Sequence, residues 1–286
     1  MREQKLKEQF MHVLFFLAAC ISVVAVVLIC IFLFGNGLPA IFEIGPKAFL
    51  LGTKWKPSNG LYGILPFILG SIYVTVGSIL IGVPVAILTA VYLAFYCPKR
   101  LYPIFKAATN LMAGIPSVVY GFFGLVLIVP LMRELTGKDG STMLTASILL
   151  GIMILPTIIG MTESALRSVP ESYYEGSLAL GATKERSIFC TVIPAAKSGI
   201  TAGIVLGIGR SIGETMAVIM VAGNQTWMPQ GIFKGLRTMT ANIVMEMGYA
   251  ADLHREALIA TGVVLFIFIL LINLCVSLLK GRNTYE

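Results

Sequence analysis

Apolar positions fall into six long runs, about Met11–Phe34, Ile64–Tyr96, Ile104–Met132, Met143–Leu166, Gly199–Val221 and Ala257–Leu279, with Lys, Arg, Glu, Gly and Pro concentrated between them. A hydrocarbon core about 30 Å thick needs roughly 20 apolar residues per helix. A run of that length that is apolar all round belongs inside a bilayer or a large core. The pattern therefore predicts an all-α integral membrane protein with six transmembrane helices, and an even number places both termini on one side. The tails and even-numbered connections carry Arg2, Lys5, Lys7, Lys99, Arg100, Lys106, Arg167, Lys184, Arg186, Lys197, Lys280 and Arg282; the opposite loops, although longer, carry Lys47, Lys54, Lys56, Arg133, Lys138, Lys234, Arg237 and Arg255. Basic residues in short loops favour the cytoplasmic side, so both termini are expected there. The layout is a tail over 1–10, a first helix over 11–34, a transmembrane domain over 64–279 and a second tail over 280–286.

Composition agrees with this pattern and excludes a soluble domain. Of 286 residues, 57% are hydrophobic and 12% charged, with a mean hydropathy of +0.89, which leaves too little polar surface to cover a water-soluble fold. The net charge of +7 is a matter of topology, since no basic block with interleaved aromatics marks a nucleic-acid surface. Cys20, Cys30, Cys97, Cys190 and Cys275 are scattered, odd in number and without a C-x-x-C pair, and read as free packing residues. The first run is too long for the core of a cleaved signal and lacks a small-x-small site. It is expected to remain as the first span.

Breakers interrupt two runs. The second holds Pro66, Gly70, Gly77, Gly82 and Pro84, predicting a tilted or bent helix. The third contains "LMAGIPSVVYGFFG", Leu111–Gly124. Breakers at membrane depth are tolerated where freed backbone faces protein or a wet cavity; close helix packing and a solute-lined path both remain open.

Two connections are long enough for structure of their own. In Glu163–Ser198, a helix beginning at Ser172 or Tyr173 is expected to end at Gly181, and a second, amphipathic helix to run from Thr183 to Pro194. This makes an elbow over 171–194 on the cytoplasmic face. In the outer connection, 223–256, Leu236, Met239, Ile243 and Met247 recur at helical spacing, predicting an amphipathic helix over 233–247 lying along the outer surface or against a partner. His12 and His254 stand alone, without metal-ligand spacing, and read as interfacial.

The elbow resembles the cytoplasmic signature of permeases in ATP-binding-cassette importers, E-A-A, three residues, G, nine residues, then I-x-L-P. Glu175, Gly176 and Ser177 take the first three places, Gly181 the glycine and Pro194 the closing proline. The alanines are replaced by small residues and the isoleucine by Thr191. With "LMAGIPSVVYGFFGL" and "GIGRSIGETMAVIMVAGN" in the third and fifth runs, the chain resembles the phosphate importer permeases of the PstC type across nearly its whole length. That resemblance implies a type I importer permease fold in the cytoplasmic membrane and an elbow seated on an ATPase. The implied partners are a second permease of the PstA type, two ATPase copies of the PstB type and an extracytoplasmic binding protein of the PstS type. It also implies no cofactor on this chain, ATP and Mg being held by the ATPase; no Walker A sequence occurs here.

Arg210 and Glu214 are the charges to explain. On a continuous helix they share a face about 80° wide with Gly199, Gly203 and Gly207. That face is expected to turn from lipid, because each ion near the bilayer centre costs roughly 2.5–3.5 kcal/mol. A guanidinium stays charged and offers a planar fork to a tetrahedral oxyanion. Glu214 is placed to pair with Arg210 when no anion is bound, or to accept a hydrogen bond from a P–OH of phosphate. A static ion pair that only packs helices fits the same spacing. Ser117, Tyr120 and Asn224 are secondary candidates for the path, with helix contacts and caps as their alternative roles. An importer of sulfate, molybdate or tungstate and a self-sufficient proton-coupled transporter remain as alternatives; no constellation of an enzyme or a metal site is present.

Overall fold

The computed structural model describes the backbone of residues 2–282 and the side chains of 9–274; Cys275 and the basic side chains of both tails lie outside the described set. Helix α1 (Arg2–Ile44) precedes a short α2 (Pro46–Leu51) and a two-stranded antiparallel hairpin, β1 (Trp55–Lys56) and β2 (Leu61–Tyr62), in which Trp55 faces Tyr62. Helix α3 (Leu65–Val91) closes in a π-helical turn over Tyr92–Tyr96. The third apolar run is two helices, α4 (Tyr102–Gly114) and α5 (Ser117–Phe123), and α5 continues through a π turn into α6 (Val129–Thr136). Then follow α7 (Met143–Arg167), the elbow helices α8 (Glu171–Ala179), α9 (Lys184–Ser187) and α10 (Ile193–Ala195), and α11 (Lys197–Gly213) with α12 (Met216–Val221). Helices α13 (Met239–Met247) and α14 (Asp252–Arg282) complete the chain.

Among the described residues five segments are long and apolar enough to cross a bilayer, and there are six if the bent pair Lys184–Ala195 and Lys197–Gly213, meeting at 71°, is one span. Five to six apolar helices agree with the expected layout, with corrected boundaries. The first helix is longer than 11–34. The third run breaks at Ile115 and Pro116, where Pro116 lacks a donor and disfavours α backbone at the residue before it. The fourth helix runs on to Arg167, so Glu163 belongs to it and not to the connection.

Helix α7 is the centre of the bundle. It packs between α3 and α11, and small residues set both approaches. A Cβ on Gly82 would lie 2.8 Å from the Gly151 carbonyl, one on Gly203 2.9 Å from the Met161 Cβ, and one on Gly207 2.8 Å from Ile158. In a bilayer such close approach is a main source of helix association, because apolar burial gains little over lipid. The glycine face of α11 is therefore filled by α7 of the same chain, not by a second subunit or a cavity. Helix α1 reaches the bundle only through its C-terminal part, where Phe34 meets Phe266 edge-on and Gly37 abuts Val263. Its residues from Phe10 to Phe32 are largely exposed.

The connection over 223–256 also departs from expectation. Within 233–247 only Met239–Met247 is helical, capped by Thr238, whose hydroxyl accepts from the Ala241 amide. Leu236 and Met239 are fully buried; the predicted outer-surface helix is an inward-folded segment, because the backbone of Arg237 crosses α3 at Gly70.

Gly203→Leu is expected to lower the melting temperature of the purified protein in detergent, overpacking costing about 1–3 kcal/mol. Gly209→Leu, with open space at its Cβ, serves as the control and should melt near the wild type; equal behaviour of the two would contradict glycine-set packing.

Candidate functional site

The fifth span does not run unbroken through "GIGRSIGETMAV". Helix α11 ends at Gly213, Glu214 is extended (φ −69°, ψ 132°), and α12 starts at Met216. The Glu214 carboxylate accepts from the amides of Thr215 at 3.1 Å and Ala217 at 3.3 Å. It thereby serves donors that no preceding helical turn can satisfy, while its carbonyl accepts from the Thr240 hydroxyl. This overturns the expectation of one shared face: Glu214 lies past the helix end and is occupied by backbone. Among the described residues no ion pair joins it to Arg210.

Arg210 lies about 20 Å along the helix from Lys197, deep in the span. Its guanidinium donates to the Thr157 hydroxyl at 3.3 Å, a neutral partner on α7. The next residue, Ser211, is buried and shares a 2.8 Å hydrogen bond with Ser78 of α3. Arg210 thus stands half-buried at the seam of the bundle, with no carboxylate paired to it among the described residues.

Tyr120 is nearby: it is buried on α5, within electrostatic reach of Arg210, and its hydroxyl donates to the Met112 carbonyl at 2.9 Å. That bond bridges the break at Ile115 and Pro116. Ser117 is the first residue of α5, half-exposed at the same break. The two broken spans touch, since Gly121 of α5 lies against Ala217 and Met220 of α12. Asn224 is a turn residue, with φ 52° and its amide donating to the Ile219 carbonyl at 2.7 Å; it caps α12 and does not meet Arg210.

The elbow turns at Gly181 as its sequence predicts, but α8 starts at Glu171, after Pro170, and the second half passes through a π turn over Ile188–Val192 between α9 and α10. Gly181 has φ +87°, the Ala182 amide donates to the Ser177 carbonyl and the Gly181 amide to that of Leu178. This is the Schellman arrangement, which favours glycine at that point. Thr183 caps α9 by accepting from the Arg186 amide, and the Ser187 hydroxyl donates to that of Ser177 at 3.0 Å. Two helices are thereby fixed against each other around a left-handed residue. Glu175, Gly176, Gly181 and Pro194 are exposed, and Leu180 at the tip is 91% exposed.

Two buried carboxylates escaped sequence reasoning. Glu163 on α7 accepts from Lys106 at 2.7 Å, Arg167 at 3.0 Å and the Tyr102 hydroxyl at 2.6 Å, while Arg167 also reaches the Leu93 carbonyl. These bonds tie α4 and the end of α3 to α7 beside the elbow. At the other end Glu246 accepts from Arg237 at 2.6 Å, the Trp55 indole at 2.8 Å and His254 at 2.9 Å. His254 is therefore no solitary interfacial residue. The Glu163 and Arg167 spacing of four was readable as a helical pair; nothing local links Trp55 to Glu246.

Residues 82–283 match the family described as binding-protein-dependent transport system inner membrane component. The chain is 37% identical to a probable ABC transporter permease protein, YqgH, of Bacillus subtilis over 93% of this chain and 88% of that one. It is 34% identical to the probable phosphate transport system permease protein PstC of Methanocaldococcus jannaschii, over 87% and 85%, and 32% identical to PstC of Xylella fastidiosa, over 91% and 86%. A subunit of the inward-facing MetNI methionine ABC transporter superposes with a TM-score of 0.63 at 20% identity, over 80% of this chain and 99% of that one. A chain of the bacterial alginate ABC transporter does so with 0.65 at 16% identity, over 95% and 96%. At such identities the likeness is one of fold.

Glu246→Gln is expected to destabilise the protein by ~3 kcal/mol, because it leaves the nearly buried Arg237 cation without its counter-charge. Thermal unfolding together with protease cleavage in 223–251 checks this; an unchanged melting curve and digestion pattern would show that the network is dispensable.

Proposed function

Because the chain belongs to the family of inner membrane components of binding-protein-dependent transport systems, we propose that it is the permease subunit of an ATP-driven phosphate importer, lining half of the path with a second permease. The observation that carries the solute role is Arg210: a half-buried guanidinium deep in the span, held among the described residues by one neutral hydroxyl at 3.3 Å and by no carboxylate. Such a charge is costly without a counter-ion. A tetrahedral oxyanion taking two parallel hydrogen bonds from its fork supplies one. Relatives named for phosphate transport that match most of this chain support phosphate as that anion.

In this reading Thr157 holds the guanidinium without neutralising it. Glu214 keeps the break in the fifth span closed by capping α12. Tyr120 and Ser117, at the paired break in the third span, face the same region, whereas Asn224 contributes a cap. The anion enters from the side of the 223–251 segment and leaves on the side of the elbow.

The free energy comes from elsewhere. The exposed Leu180, beside Glu175, Gly176 and Gly181, fits a cleft of an ATPase of the PstB type, present in two copies and holding ATP and Mg. Pinned at Ser177 and Ser187, the elbow transmits that subunit's closure to α11 through the 71° bend. The second permease is of the PstA type and the donor of phosphate an extracytoplasmic binding protein of the PstS type. The elbow and both termini then lie in the cytoplasm.

Arg210→Gln should abolish uptake of labelled phosphate by the reconstituted assembly while the ATPase still co-purifies; near-normal uptake would return Arg210 to packing. Excess sulfate should compete poorly in the wild type, and strong competition would instead assign a broader oxyanion importer. Gly181→Trp should lose the co-purifying ATPase, because a side chain is strained at φ +87° and bulk is added at the docking tip. An impermeant thiol reagent should label the exposed Cys190 only from the cytoplasmic face, and labelling from outside would reverse the topology.

A further inference from the structure

At the end of the molecule opposite the elbow, the turn between α6 and α7 meets the segment 231–236 around an open cavity of about 570 Å³. Arg133, Lys138 and Lys234 line it together with a single carboxylate, Asp139, and with Ser141 and Gln225. None of the four charged side chains forms an ion pair among the described residues. Three cations gathered around one carboxylate leave an excess of positive charge, and an anion placed among them relieves the remaining repulsion.

The cations are held in place by structure. Gly137 (φ +64°) turns the chain out of α6, its amide donating to the Arg133 carbonyl, and Lys138 lies 5.3 Å from the Phe233 ring centroid. Lys234 is fixed through its backbone, since its carbonyl accepts from the Met143 amide at 2.9 Å while that of Ile232 accepts from Leu144 at 3.0 Å. The first-turn donors of α7 thus anchor the segment that brings Lys234 to Arg133. At the wall, the Oε1 atom of Gln225 is buried with no hydrogen-bond partner among the described residues.

We propose that this cavity binds a phosphoryl group, supplied either as inorganic phosphate reaching this face or as the headgroup of an anionic phospholipid. Arg133 offers a planar fork to two phosphoryl oxygens, and the lysines contribute point charges. Gln225 provides an acceptor for a P–OH, which inorganic phosphate carries near neutral pH and a phosphodiester lacks. The site is separate from Arg210, and its occupancy does not depend on the role of that residue.

Binding is measured on the assembled complex carrying Arg210→Gln, so that the mid-span arginine is not counted. In phosphatidylcholine nanodiscs, equilibrium dialysis with labelled inorganic phosphate reads the free anion. In nanodiscs containing phosphatidylglycerol, native mass spectrometry reads the retained lipid. In at least one arm, binding should weaken about tenfold or more on Lys138→Gln with Lys234→Gln, fall with added salt and persist in Lys138→Arg. Co-purification of the ATPase with each variant verifies folding. Binding in neither arm, or binding that the double substitution leaves unchanged, overturns the proposal. So does loss of ATPase stimulation by the binding protein in the double variant when neither arm binds, since the cavity would then be a protein-docking surface. Uptake through Arg210 and binding here fail independently.

Discussion

Everything in this protein depends on how closely α7 is approached by its neighbours. In lipid an apolar side chain gains little by facing another helix, so shape complementarity and polar contacts hold helices together. Gly82 lets α3 reach the α7 backbone, while Gly203 and Gly207 let α11 lie on Met161 and Ile158. Those contacts put Thr157 within reach of Arg210 and Ser78 within reach of Ser211. Wider spacing would leave both α11 residues without their partners at membrane depth.

The bundle is tied at each end by one buried carboxylate. Glu163 gathers Lys106, Arg167 and Tyr102, and Glu246 gathers Arg237, Trp55 and His254. Each anion is fully engaged by charged and neutral donors, the condition under which a buried charge is tolerated. Between these clusters Arg210 is different, because among the described residues only a hydroxyl meets it. Satisfied ends around an unsatisfied middle agree with the proposed solute role of Arg210, for which an internal carboxylate would be a competitor.

The broken spans supply the remaining element. Gly213 to Thr215 and Ile115 to Pro116 interrupt two helices whose second halves touch through Gly121, Ala217 and Met220. Glu214 and the Tyr120 hydroxyl satisfy backbone groups at those breaks, as an interruption within lipid requires. The elbow, joined to α11 at a 71° bend, forms one firm end of the broken fifth span.

Much of this was legible in the residues. The apolar segments, with shifted ends, the helix that follows Thr183 and the glycine turn at Gly181 appear near where the pattern places them, because they depend on neighbours within a few positions. The break at Glu214 was hidden, since a helical wheel assumes an unbroken helix and cannot register a carboxylate bonding to the backbone just ahead. The burial of Leu236 was hidden too, because the same spacing serves a surface helix or an inward-folded segment. By itself the sequence determined which segments partition into the bilayer and where the elbow turns, for transfer free energy and turn geometry are local properties. Only the tertiary structure decided which polar groups meet, giving Glu246 to Trp55 across 191 positions and leaving Arg210 with no carboxylate among the described residues, because such pairing depends on distances that the packing around α7 sets.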